Sequence, residues 1–332
     1  MTVAVVVVGL FALPRAMPGD PIDSLARSGG GEITDPRIHA QLQAYYGLNR
    51  PLVAQFFHHL ANLSRGDLGF SISQRQPVGH LIAARLPWTL LLAGTALVFS
   101  TLFSFFAGIA AGWRRGSRRD QALIAVTSAT AAVPVYALAT VLLITLAIVW
   151  PVFPLSGART PFVQGGTRFT TAVDVARHLA LPATALTLSL AGANFLLVRS
   201  SVVSALGQDY LVLARAKGLP ERLLKHRHAG RNALLPYLTV VGIQVGFALG
   251  GAIFVESVFA YPGMGSLILE AVRARDYPVL DASLLVLAMV ALTANLAVDL
   301  LYQRLDPRVE SWEGVAVSRR PRPAPMTPSV DR

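Results

Sequence analysis

Five stretches of 20 to 30 residues, at 86–112, 121–150, 179–198, 237–260 and 281–303, are apolar almost throughout. Nothing else in the chain constrains its fold as strongly. A helix rises about 1.5 Å per residue, so about 20 apolar residues match the roughly 30 Å hydrocarbon core of a bilayer. Inside that core each backbone amide must find its partner within the segment, so the runs predict helices. A sixth run at residues 3–13 is closed by Pro14 and Arg15 and is too short to cross alone. A signal peptide is one reading, but the run lacks a basic leading region and a convincing small-residue cleavage site in residues 12–19. The preferred reading is a first span whose beginning is missing. The expected architecture is an all-α, polytopic membrane protein of six transmembrane helices.

Composition agrees. The chain is 53% hydrophobic and 14% charged, yet its net charge is +11. An ordinary soluble domain carries about 25% charged residues. The hydrophobicity excludes a disordered chain, and the sparse charge argues against a nucleic-acid partner. Cysteine is absent, which removes disulfides, thiol chemistry and Cys-type zinc sites.

The basic residues orient the spans. Residues 113–120, 199–236 and 304–332 hold 17 of the 29 Lys and Arg in 75 positions, against 11 in the 116 positions of the opposite loops. The denser set is expected in the cytoplasm, with both termini there if the first span is complete. This divides the chain into a partial first helix (1–17), an extracytoplasmic loop (18–85), and a five-helix domain (86–303). That domain contains a cytoplasmic loop (199–236) and is followed by a tail (304–332) expected to be disordered. The outer loop should carry short helices at 37–46 and 52–63, which suit a membrane-surface element, a docking lip or a packed cap.

Within the spans, Gly242, Gly246 and Gly250 recur every four residues along one helix face. They permit close helix approach, either within the chain or against another subunit across a pathway. Glu256 is costly in lipid unless it faces water or a partner, or it marks where the helix leaves the bilayer. Asp299 has the same ambiguity at the other end. Pro134 should bend its span.

Catalytic patterns are missing. No Gly precedes a Lys, so a Walker-type phosphate loop is excluded. The seven histidines form no H-E-x-x-H pattern, and no G-x-S-x-G elbow occurs. No enzyme active site and no bound metal or cofactor are expected.

The second basic loop is the most informative segment. Residues 209–217 read as a helix with Asp209 near its start, Lys217 near its end and Gly218 as its stop. Leu219 and Pro220 open a second short helix with Leu219, Leu223 and Leu224 clustered. Six basic residues between Arg215 and Arg231 suit a docking element for a cytoplasmic protein or contacts with anionic lipid heads.

Here the chain resembles a known family. Asp209-Tyr210, then Ala214-Arg215-Ala216-Lys217-Gly218-Leu219, followed by His228, Arg231-Asn232 and Pro236, are similar to the coupling loop of binding-protein-dependent ABC importer permeases. The version is that of the dipeptide, oligopeptide and nickel branch. The general loop of that superfamily opens with Glu-Ala-Ala. Here Val212 takes the Glu position, and Gly218 and Pro236 lie 18 residues apart, two features the peptide branch shares. Other stretches agree in order: Pro18-Gly-Asp-Pro21, Tyr46-Gly-Leu-Asn-Arg-Pro-Leu52, Arg65-Gly-Asp-Leu-Gly-Phe-Ser71, Val255-Glu-Ser-Val-Phe-Ala-Tyr-Pro262-Gly263-Met-Gly265, Ala274-Arg-Asp276-Tyr-Pro278 and Leu305-Asp-Pro-Arg308. The resemblance implies the type I importer permease fold in a bacterial or archaeal cytoplasmic membrane. It implies a second related permease, two cytoplasmic ATPase subunits carrying ATP and Mg, and an extracytoplasmic solute-binding protein. Di- or oligopeptides or a similar small solute are the implied substrates. Glu256, Pro262, Gly263, Gly265 and Asp276 become candidates for the outer gate, with Gly242, Gly246 and Gly250 beside the pathway. The competing expectation is a stand-alone, ion-coupled secondary transporter.

Overall fold

The computed structural model describes residues 36–45, 49–161 and 167–305, together with Val8, Gly9, Phe11, Ala12, Arg15 and Ile22. Most of the expected first span, the Pro18–Pro21 motif and the tail beyond residue 305 lie outside the described residues.

Two short helices, α1 (Pro36–Tyr45) and α2 (Leu52–Ser64), precede a tight turn in which Phe70 pairs with Pro77. They match the two predicted outer helices to within a residue. Helix α3 (Val78–Trp113) then runs 36 residues, about 54 Å at the ordinary rise. It is followed by α4 (Arg118–Ala132), α5 (Val135–Leu143) with a π-helical end (Ile144–Val149), and α6 (Arg168–Leu206). The loop element comprises α7 (Asp209–Ala216), α8 (Glu221–Leu223) and a π-helical turn (Leu224–Ala229). Helices α9 (Gly230–Val258), α10 (Met264–Ala274) and α11 (Tyr277–Leu305) complete the described chain. Among the described residues no strand forms.

Four helices are long and apolar enough to cross a membrane, or five if α4 and α5 count as one span. The run 121–150 is not one straight helix: α4 and α5 meet at 103°. Val133 is extended (φ −87°, ψ 130°) and Pro134 begins α5 without a donor N–H. A residue before proline is driven out of the α region, and proline cannot continue the preceding helix ladder. The other helices extend beyond their apolar centres. Helix α6 is the clearest case, with 39 residues against 20 in the apolar run.

Helices α3 and α6 pack closely where Gly108 and Gly112 face Val198 and Val202; a methyl group on Gly108 would stand 2.8 Å from Val198. The main apolar core joins α3, α6, α9, α10 and α11. A smaller one, built from Ile109, Val198, Val202, Leu211, Leu224 and Tyr237 among others, lies at the end of the bundle that carries α7. Phe99, Phe103 and Phe106 on α3, Phe247 and Phe254 on α9 and Leu296 and Leu300 on α11 are exposed. Apolar surface of that extent suits lipid or another subunit, not water.

Candidate functional site

Helix α7 is amphipathic in a useful sense. Leu211 and Ala214 face inward and join the smaller core, while Val212, Leu213, Arg215, Ala216 and Lys217 face out. Tyr210 is also exposed. Asp209 stands in the first turn and Arg215 in the last, as the helix dipole favours. The helix ends in a Schellman motif. Gly218 adopts φ +73°, its N–H donates to the Arg215 carbonyl at 3.0 Å, and the Leu219 N–H donates to the Ala214 carbonyl at 3.4 Å. Only a residue tolerant of positive φ suits this position. Leu219 is half-buried against the same core as Ala214, the apolar contact that accompanies such caps.

Behind α7, Leu224 is buried, and Leu223 and His228 are half-buried. Arg231 and Pro236 are exposed at the start of α9; the side chain of Asn232 lies outside the described residues. Tyr237 is buried, stacks on Phe105 and donates its hydroxyl to the Thr101 carbonyl at 3.2 Å. The exposed face of α7 is thus fixed to the ends of α3, α6 and α9 at once. Nearby, Arg199 donates to both carboxylate oxygens of Asp120 at 2.6 and 2.8 Å, joining α6 to the start of α4.

The opposite end is built around two buried carboxylates. Glu256 accepts from the Thr89 hydroxyl at 2.6 Å and from the backbone amides of Gly265 and Ser266 at 2.6 and 3.2 Å. Thr89 in turn accepts from the Met264 amide at 2.7 Å. Glu256 therefore caps α10 while tying it to α3 and α9. Side chains on Gly263 or Gly265 would overlap that carboxylate. Pro262 is half-buried beside them. Tyr261 packs edge-on against Trp88, and its hydroxyl is pushed up to about 12 by desolvation first and by the Glu256 carboxylate second.

Asp276 follows α10. One of its oxygens accepts from the Ser71 hydroxyl at 2.6 Å and from the Ser73 hydroxyl and amide, both at 2.8 Å. The Arg65–Ser71 and Ala274–Pro278 motifs, some 200 residues apart in sequence, are therefore one contact. The three spaced glycines separate: Gly242 packs on Val298 of α11, while a side chain on Gly246 or Gly250 would meet nothing within 4 Å.

Residues 104–311 match the family of binding-protein-dependent transport system inner membrane components. This chain belongs to that family. Curated relatives include the di/tripeptide transport system permease DppB of Pseudomonas aeruginosa, 35% identical over 314 residues, covering 90% of this chain and 92% of that protein. The dipeptide transport system permease DppB of Escherichia coli K12 is 34% identical with the same coverage. The glutathione transport system permease GsiC of that strain is 34% identical over 93% of this chain and 94% of its own. The chain is accordingly an ABC importer permease, a multi-pass membrane protein, and family membership supports this over the stand-alone ion-coupled transporter.

Several contacts of this permease were not anticipated from its sequence. Thr89, Ser71 and Ser73 look like ordinary hydroxyl residues until the fold brings them to Glu256 and Asp276. Asp120 did carry a signal: Ser117-x-x-Asp120 fits a capping box, and the Ser117 hydroxyl accepts from the Asp120 amide at 3.2 Å. A buried polar link also crosses the bundle, from Gln244 to Asn194 at 2.9 Å and from Asn194 to Ser100 at 3.4 Å, joining α9, α6 and α3.

Proposed function

We propose that this permease is one of two related membrane subunits of an ATP-driven peptide importer in a bacterial or archaeal cytoplasmic membrane. Two cytoplasmic ATPase subunits, carrying ATP and Mg, grip the exposed face of α7. An extracytoplasmic binding protein delivers the solute to the opposite end. Both termini lie in the cytoplasm, and this chain itself binds no nucleotide and performs no chemistry. The substrate is a di- or tripeptide or a similarly sized solute, a reading supported by the named relatives.

The observation that carries the mechanism is the one-sided burial of α7. Its outer face offers Val212, Leu213, Arg215 and Lys217 to a partner, while Leu211 and Ala214 lock it to α3, α6 and α9. Closure of an ATPase pair against the outer face would move three helices together, as an interface-driven switch between two packings requires. At the far end, α10 is held between Glu256 and Asp276. Tilting α3 and α9 therefore carries α10 and the 69–77 turn with them, which suits an outer gate.

Gly218→Asp tests the coupling role. The replacement meets open space but must adopt φ +73°, so the α7 terminus is reshaped while the membrane core is left alone. The variant should insert and assemble, yet lose solute-stimulated ATP hydrolysis and uptake by at least about tenfold. Normal stimulation and uptake by a correctly inserted variant would refute the role.

A further inference from the structure

Beside the α7 element lies a basic cavity that coupling does not explain. It has a volume of about 640 Å³ and opens between the end of α3, the turn before α4 and the 221–226 segment. Arg114, Arg118 and Arg119 line one side, Arg222 and Lys225 the other, and Glu221 is the acidic residue among the lining side chains. Asp120 is occupied, since both of its oxygens accept from Arg199. Among the described residues none of the five cations forms an ion pair. Arg118 and Arg119 also occupy the first turn of α4, where the helix dipole disfavours positive charge. His226, on the same wall, is held below the usual imidazole range by desolvation first and then by Lys225 and Arg222. Such converging, uncompensated positive charge is stabilised by an anion.

A second feature says which anion. Arg222 and His226 also line an adjoining groove of about 610 Å³, whose remaining walls are the apolar Phe106, Pro220 and Leu223 together with Arg227. Phe106 is exposed and continues the apolar face of α3 through Phe103 and Phe99. The charged cavity thus adjoins a groove that reaches the exposed face of α3 at Phe106.

We infer that this cavity binds the phosphate of an anionic phospholipid, with an acyl chain laid along Phe106 and the exposed face of α3. Basic pockets between membrane helices at headgroup depth bind lipid heads in this way. A free phosphate would satisfy the charges but leave the groove unused. The bound lipid would splint the 114–119 turn to the 221–226 segment, and so brace α7 from behind. The inference needs the membrane location of the chain but neither the proposed substrate nor the coupling role.

The test uses the intact transporter, purified with its partner subunits and exchanged into nanodiscs of phosphatidylglycerol or phosphatidylcholine. Native mass spectrometry reads the lipid retained after stripping. The unaltered complex should keep phosphatidylglycerol selectively. Arg118→Gln combined with Lys225→Gln, one charge from each wall, should reduce retention at least about tenfold, and Lys225→Gln alone about fivefold. The single variant keeps the question open to test if the double variant assembles poorly. Phe106→Ser should weaken long-chain phosphatidylglycerol more than a short-chain form, and millimolar inorganic phosphate should not displace the lipid. Unchanged retention in the charge variants would overturn the inference. So would displacement by inorganic phosphate, which marks a free-anion site. Loss of ATPase association at unchanged lipid retention would instead assign the cations to that protein and equally overturn it.

Discussion

Glu256 shows how much a single side chain can organise. It is fully buried at the end of α9, and it is tolerated there because two backbone amides and a hydroxyl aim at its oxygens. Stranding such donors in a buried site costs about 1–3 kcal/mol for each group. Glu256→Ala should therefore lower the stability of the detergent-solubilised permease by roughly 3 kcal/mol or more. Glu256→Gln should cost less, because one amide oxygen can still accept. Thermal unfolding of the two variants checks this; equal midpoints for both and for the unaltered protein would contradict the capping role. In the sequence, Glu256 shows only as a carboxylate near the end of an apolar run, consistent with a helix emerging from lipid. Its actual neighbours, Thr89 and Gly265, come from an earlier helix and from beyond a turn. Local spacing contains no signal for the first of them.

At the scale of elements, apolar runs are legible because hydrophobicity is a property of composition along the chain. Direction is not. The run at 121–150 contains Pro134, which signals a bend but not its size. Beside the 103° break, α4 is also held against α6. Gly192 on α6 lets the Thr127 carbonyl and Ala131 of α4 approach so closely that a methyl group there would overlap them. Gly192→Ala should push α4 away from α6. The expected cost is about 1–3 kcal/mol, as for other overpacked contacts, with faster proteolysis at the 113–118 turn. Thermal stability and a cleavage time course measure both effects, and unchanged values would show that α4 is held elsewhere. The π-helical ends after α5 and α8 likewise have no counterpart in residue pattern. Helix α7 is more legible. Its dipole-matched ends, its Gly stop and its apolar knuckle all lie within residues 209–224, so the local sequence holds the information that shapes it.

For the whole molecule, the loops sort to two ends as the distribution of basic residues anticipates. Asp120 meets Arg199 at one end. Asp276 meets Ser71, and the Gly157 amide donates to the Phe259 carbonyl, at the other. The end richer in Lys and Arg is the one proposed to face the cytoplasm, because basic loops are retained on that side. The absence of cysteine makes this directly measurable. Single substitutions Arg115→Cys and Arg215→Cys should react with a membrane-impermeant maleimide only from the cytoplasmic side. Gln74→Cys and Arg159→Cys should react only from outside. Labelling of Arg115→Cys from outside in intact cells would reverse the orientation and place the proposed ATPase-docking face of α7 outside the cell.

The sequence by itself determined that this chain is helical and membrane-embedded, and it located the loop that forms α7. These properties rest on terms that add along the chain: apolar length against bilayer thickness, charge density by segment, and local capping. Only the tertiary structure decided which distant residues complete each other. The Glu256–Thr89 cap, the Asp276–Ser71 tie, the Asp120–Arg199 pair and the basic cavity at Arg118 and Lys225 each join segments separated by many residues. A carboxylate, hydroxyl or cation looks the same in sequence whether it faces water or a partner. Its meaning depends on burial and on the direction of its neighbours, and both arise only when the helices pack.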